Sequence, residues 1–211
     1  MCQSIRVKDS QALRIFAVIA LLAAVFGGAQ WVGSPALRLQ ASAAGSEPWR
    51  LITAHCVHLT IEHAALNLAV FALFVMILAE LRRPFVLLSS GLVAAFCVDI
   101  GVLLFHPSVG WYVGFSGVLY GLLCAGALAD LRRQPALGVV VLVGVLIKLA
   151  ADSRFGPSPL TETIVGGPIL SAAHVYGAMG GLLVGIGLVC KKRGTDDGRP
   201  KEVAVIGSKA G

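Results

Sequence analysis

Charge is what this chain has least of. Of its 211 residues only 13% are Asp, Glu, Lys or Arg, while 57% are hydrophobic, and the mean hydropathy is +0.85. Soluble domains carry about a quarter charged residues. Too little polar surface is present to cover a water-soluble globule, and a polytopic membrane protein is the class that remains. Paired cysteines are also lacking. Cys2, Cys56, Cys97, Cys124 and Cys190 show no CxxC spacing, and three of them lie inside apolar runs. That excludes a disulfide framework or a zinc site and leaves them as small hydrophobes. No long internal repeat and no second domain is visible. The formal net charge of +6 does not point to nucleic acid, because the bases cluster between apolar segments, where topology accounts for them.

Six apolar segments stand out, at roughly 14–33, 52–79, 85–105, 113–131, 136–151 and 169–190. A membrane-spanning helix needs about 20 residues. The second segment is long and is expected to begin in the interface. The fifth is short, and Lys148 is expected to extend it by snorkelling. The first has a longer apolar core than a signal peptide, and the Ala-rich stretch after it is a poor cleavage site, so it is expected to span. Arg6, Lys8 and Arg14 precede the first segment, Arg82 and Arg83 follow the second, Arg132 and Arg133 follow the fourth, and Lys191, Lys192 and Arg193 follow the sixth. The alternate loops hold only Arg38, Arg50 and Arg154. Six spans with both termini inside put every cluster on one side, which the positive-inside rule makes cytoplasmic. The expected organisation is a cytoplasmic N-terminal segment at 1–13, a six-helix bundle at 14–190 and a basic cytoplasmic tail at 191–211, disordered from 194.

On this topology Ser116 falls within about one turn of the outer end of the fourth span. His174 falls about 7 Å below the outer end of the sixth, at 1.5 Å per residue. His58, His63 and Asn67 fall in the outer half of the second. Polar groups from three helices thus reach similar depth on one side, and intramembrane ionisable groups are costly and usually functional. His63 and Asn67 are four apart and share a helix face, as do Ser116 and Tyr120. Gly117 and Gly121 follow Ser116, and Gly177 and Gly181 follow His174, at spacings that let two helices approach closely. Packing through these glycines brings Ser116 and His174 within hydrogen-bond reach, the geometry of a nucleophile and its general base. Each residue alone has a plainer explanation. A membrane serine ordinarily bonds its own backbone, and His55 and His58 have no third metal ligand at suitable spacing. Asp99 reads as a buried hydrogen-bonded carboxyl, and Glu62 projects about 100° away from His63.

The motifs GFSG with a tyrosine four after the serine, AHVYGAMGG in the last span and HLTIEHAALN in the second together resemble the rhomboid intramembrane serine proteases. Trp49-Arg50 is similar to the family's first-loop motif. The stretches WRLITAHCVHLTIEHAALNL and LIKLAADSRFG resemble the rhombosortase branch. The resemblance implies an all-α, six-transmembrane-helix rhomboid-like bundle and no cofactor or metal. It implies Ser116 as nucleophile, His174 as general base and then acid, and Tyr120 packed on the His174 ring. It gives His63, Asn67 and the Ser116 N–H as the oxyanion hole. His58, Gly114, Gly117 and Gly177 are supporting positions, and the loop at about 152–168 covers the site. The implied partner is a membrane-anchored substrate carrying a C-terminal Gly-Gly motif, apolar helix and basic tail, cleaved on the periplasmic side of a bacterial inner membrane. The alternatives are a general rhomboid protease with type I membrane substrates and an inactive rhomboid-like protein that escorts membrane clients.

Overall fold

The computed structural model describes residues 2–197, with side chains described for 11–191. Arg6, Lys8, Lys192, Arg193 and most of the expected disordered tail therefore lie outside the described side chains, and the backbone is helical up to Asp197. The described chain is helical throughout, with one isolated antiparallel bridge between Leu39 and Tyr112. Its helices are α1 (Cys2–Val32), α2 (Ser34–Leu37), α3 (Arg50–Thr53), α4 (Ile61–Ile77), α5 (Pro84–Phe105), α6 (Ser116–Asp130), α7 (Pro135–Phe155), α8 (Pro159–Val165) and α9 (Ser171–Asp197), with a 3-10 turn at Ala79–Arg82.

Prolines at the first turns of α5, α7 and α8 fit there because those N–H groups have no helical acceptor. Thr60 caps α4, its hydroxyl accepting from the His63 N–H at 3.1 Å, which satisfies one orphan donor of the first turn. Four helical stretches are long and apolar enough to cross a membrane: Gln11–Val32, Pro84–Phe105, Pro135–Phe155 and Ser171–Lys191. Two shorter apolar helices, α4 and α6, complete the set. On α5 the exposed Phe85, Leu88, Leu92 and Phe96 recur every three or four residues, an apolar stripe suited to lipid. Its other face, with Val86, Ala94 and Val98, is buried. α6 is buried nearly all round and is the central helix.

Three expectations change. The second segment is not one helix from 52. It turns through α3 and an irregular stretch, and the helix begins at Ile61, so His58 is a loop residue. The fourth begins at Ser116 itself, because the chain from His106 to Phe115 runs irregularly, tied to the first loop through Leu39 and Tyr112 (N–H to O 3.0 and 2.9 Å). The fifth is a full helix to Phe155, and Lys148 Nζ bonds both Asp152 carboxylate oxygens at 2.5 Å. At the opposite end from Ser116, the fully buried Glu80 pairs with Arg83 at 2.9 Å and with Arg133 at 3.7 Å. Its N–H donates to Asp130 at 3.3 Å. Two of the arginine clusters thus share one end of the bundle.

The α6–α9 contact positions the site. A Cβ built on Gly177 would fall 1.9 Å from the Gly117 carbonyl oxygen, and one on Gly181 would fall 2.0 Å from that of Gly121. The obstacle is backbone in both cases, so no rotamer change relieves it. Gly177→Ala is expected to force the helices apart and to cost about 1–3 kcal/mol of stability. Gly28→Ala, whose Cβ meets nothing within 4 Å, is the control. Thermal unfolding of both variants in mild detergent checks this.

Candidate active site

Ser116 is the first residue of α6. Its backbone N–H and those of the next residues point out of the helix start without helical acceptors. Gly114, two residues earlier, adopts φ +122°, which only glycine occupies without strain. A Cβ there would also sit 3.3 Å from the His63 ring. Gly114 therefore serves twice: it makes the turn into α6 and lets α4 approach the turn.

His174 lies in the first turn of α9, and its Nε2 is 2.9 Å from Ser116 Oγ. With the imidazole proton on Nδ1, the serine hydroxyl donates to Nε2. Nδ1 is buried and has no protein partner, so no carboxylate orients the ring. Tyr120 does so instead, stacked on it with centroids 4.6 Å apart and planes at 23°. Both groups are one helical turn or less from the Gly117–Gly177 contact, which explains their separation.

His63 and Asn67 are buried on one face of α4. His63 Nδ1 and Asn67 Nδ2 have no protein hydrogen-bond partner. Unpaired buried polar groups are expensive, and both residues line a cavity of about 830 Å³ that Ser116, Tyr120 and His174 also line. The expected cover of the site is partly helical: Pro157, Thr161, Val165 and Pro168, on and around α8, line the same cavity. Gly166 packs against Thr60, where a Cβ would fall 2.3 Å from the threonine methyl.

His58 does not line the cavity. Its ring packs edge-on against His63 at 4.8 Å and against Phe26 at 4.5 Å, and its N–H donates to the Gln30 side chain at 2.9 Å. It backs His63 from the α1 side. Arg50 is buried and holds the first loop through the carbonyls of Pro35 (3.0 Å) and Arg38 (2.9 Å) and the Glu47 carboxylate (2.5 Å). Trp49 is exposed.

Two features escaped the sequence. Lys148 and Asp152 contribute the charged side chains of the cavity wall. Their i, i+4 spacing on a helix was the available signal. Asp99 faces His55, Oδ1 to Nε2 at 3.2 Å, and His55 Nδ1 is 3.4 Å from the Gly114 carbonyl. No spacing rule links residues so far apart in the chain. Tyr112 donates to the same carbonyl at 3.2 Å. Burial, with the Asp99 carboxylate nearby, pushes the Tyr112 phenol above its ordinary value, so it stays protonated as that donor.

Comparison with protein-family models matches the rhomboid domain to residues 45–191. Comparison with curated proteins returns no match. The matched stretch runs from the first loop through the apolar part of α9 and contains Ser116, His174, His63 and Asn67. Members of this family are generally intramembrane serine proteases acting on membrane-protein substrates within the bilayer, and the apolar helices agree with a multi-pass membrane protein. The chain belongs to the rhomboid family.

Proposed function

We propose that this protein is an intramembrane serine endopeptidase that uses Ser116 and His174 as a catalytic dyad. The observation that carries the proposal is the 2.9 Å Ser116–His174 hydrogen bond at the head of a buried helix. His174 Nε2 takes the hydroxyl proton as Ser116 Oγ attacks the scissile carbonyl. The imidazolium then returns that proton to the departing amine. The Ser116 N–H, His63 and Asn67 donate to the tetrahedral oxyanion, and water attack on the acyl-enzyme restores the serine. An amine replacing water in that last step makes the same enzyme a transpeptidase.

The topology that accompanies this reading has six spans, α1, α4, α5, α6, α7 and α9, with both termini in the cytoplasm. The active site then opens to the periplasmic side of a bacterial inner membrane. The 17 residues of α4 and 15 of α6 are short for a span at 1.5 Å per residue. This fits spans that stop at a water-bearing cavity, the setting in which irregular backbone is tolerated at membrane depth. In domain terms, 1–13 and 191–211 flank a catalytic unit at 14–190.

The substrate we favour is an exported protein ending in a Gly-Gly motif, an apolar helix and a basic cluster, as in rhombosortase-type sorting. The stretch LIKLAADSRFG, which carries that resemblance, delivers Lys148 and Asp152 to the cavity wall. A Gly-Gly site unwinds readily, and unwinding frees carbonyls otherwise bonded within a helix. The general rhomboid reading, with type I membrane substrates, uses the same dyad. The escort reading leaves the unpaired donors of His63 and Asn67 without a task.

Two substrates co-expressed with the enzyme in a bacterial membrane separate these readings: one with the Gly-Gly tail, one an ordinary type I membrane protein. Trimming of the Gly-Gly tail alone, lost in Ser116→Ala at equal membrane level, is the expected result. Cleavage of the type I protein alone moves the chain to general rhomboid substrates, and cleavage that survives in Ser116→Ala overturns the dyad. Asn67→Ala is expected to lower kcat by about 10²–10³, the usual effect of removing one oxyanion donor. Initial-rate cleavage of the accepted substrate in proteoliposomes checks this.

A further inference from the structure

The Gly114 carbonyl is engaged from two directions. His55 Nδ1 lies 3.4 Å from it and the Tyr112 hydroxyl donates to it at 3.2 Å. The Gly114 N–H is also tied, donating to the Ala54 carbonyl at 2.9 Å. The peptide unit that follows, Gly114–Phe115, leads straight into Ser116. A trans peptide points its C=O and N–H in opposite directions, so holding this carbonyl also fixes the Phe115 N–H. Glycine would otherwise let the plane turn over at little cost. A turned plane would put a carbonyl oxygen on the face of the loop now holding the Phe115 N–H, beside the Ser116 N–H. An acceptor there opposes a developing oxyanion.

We propose that His55 and Asp99 are positioning residues: together they lock the Gly114–Phe115 peptide plane, and through it the Ser116 N–H, in the orientation that hydrolysis needs. The role rests on the protease reading above. A carbonyl only accepts, so His55 Nδ1 carries a proton. His55 Nε2 faces Asp99 Oδ1 at 3.2 Å. Both contacts form when an imidazolium faces a carboxylate, or when a neutral imidazole accepts from a carboxyl. In either case the pair shares two protons and is net neutral, which suits its burial, with His55 and Asp99 each 4% exposed. A neutral His55 beside an ionised Asp99 would move the proton to Nε2 and turn a lone pair on the Gly114 carbonyl. Asparagine at 99 offers the remaining solution: its amide N–H donates to Nε2 and keeps the proton on Nδ1.

The test uses the full chain in proteoliposomes and a fluorescent fluorophosphonate as probe. Ser116 Oγ displaces fluoride from phosphorus, and its proton passes to His174. The phosphoryl oxygen occupies the oxyanion position, so the maximal labelling rate kinact reads the orientation of the loop and KI reads binding. His55→Ala and Asp99→Leu are expected to lower kinact by about 10–100-fold, the scale of a small misplacement of reacting groups, with KI unchanged. Tyr112→Phe is expected to lose less, and Asp99→Asn to stay near wild type. If Asp99→Leu fails to fold, His55→Ala and Asp99→Asn still decide. Wild-type kinact in His55→Ala, or a fall in Asp99→Asn as deep as in His55→Ala, overturns the positioning role while the protease reading stands. No Ser116-dependent labelling of the wild type overturns both.

Discussion

Two helices touch backbone to backbone where α6 crosses α9, and the rest of the site depends on that contact. Glycine at 117, 121, 177 and 181 removes every side chain that would hold them apart. In a bilayer the lipid tails are as apolar as leucine, so close packing rather than hydrophobic exclusion holds such helices together. The contact has a chemical consequence. It sets Ser116 and His174 within 2.9 Å without an aspartate to steer the imidazole, because Tyr120 on the same face of α6 supplies a flat surface for the ring.

The second constraint is that polar groups at depth need partners. Several find them in the protein: Glu80 with Arg83, Lys148 with Asp152, Asp99 with His55. His63 Nδ1, Asn67 Nδ2 and His174 Nδ1 do not. All three of these residues line one cavity, beside Ser116. The glycine turn before α6 starts the central helix at the serine, where the first N–H groups have no helical acceptor.

Much of this was legible in the sequence, for physical reasons. Low charge and long apolar runs leave few options for fold class, and an all-helical membrane bundle follows from them. Helical spacing made the meeting of Ser116 and His174 readable, because glycine faces at four-residue intervals on two spans imply close approach. What could not be read were features set by chain segments without a period. The second segment breaks at residues 54–60, so His58 sits behind His63 rather than beside it on a helix. The fourth helix starts at Ser116 because the preceding loop is tied to Leu39, a tertiary bond with no local signature. Asp99 was recognised as a buried carboxyl, but its partner His55 lies two helices away, and nothing in one sequence links them.

The central claim is that Ser116 is a nucleophile activated by His174. The most direct measurement is mass-spectrometric mapping of the covalent adduct after bilayer-embedded protein reacts with a fluorophosphonate. The account requires a single adduct on Ser116, lost when His174 is replaced by alanine in protein that remains folded and inserted. An adduct that forms equally without His174, or that maps to another residue, would contradict it.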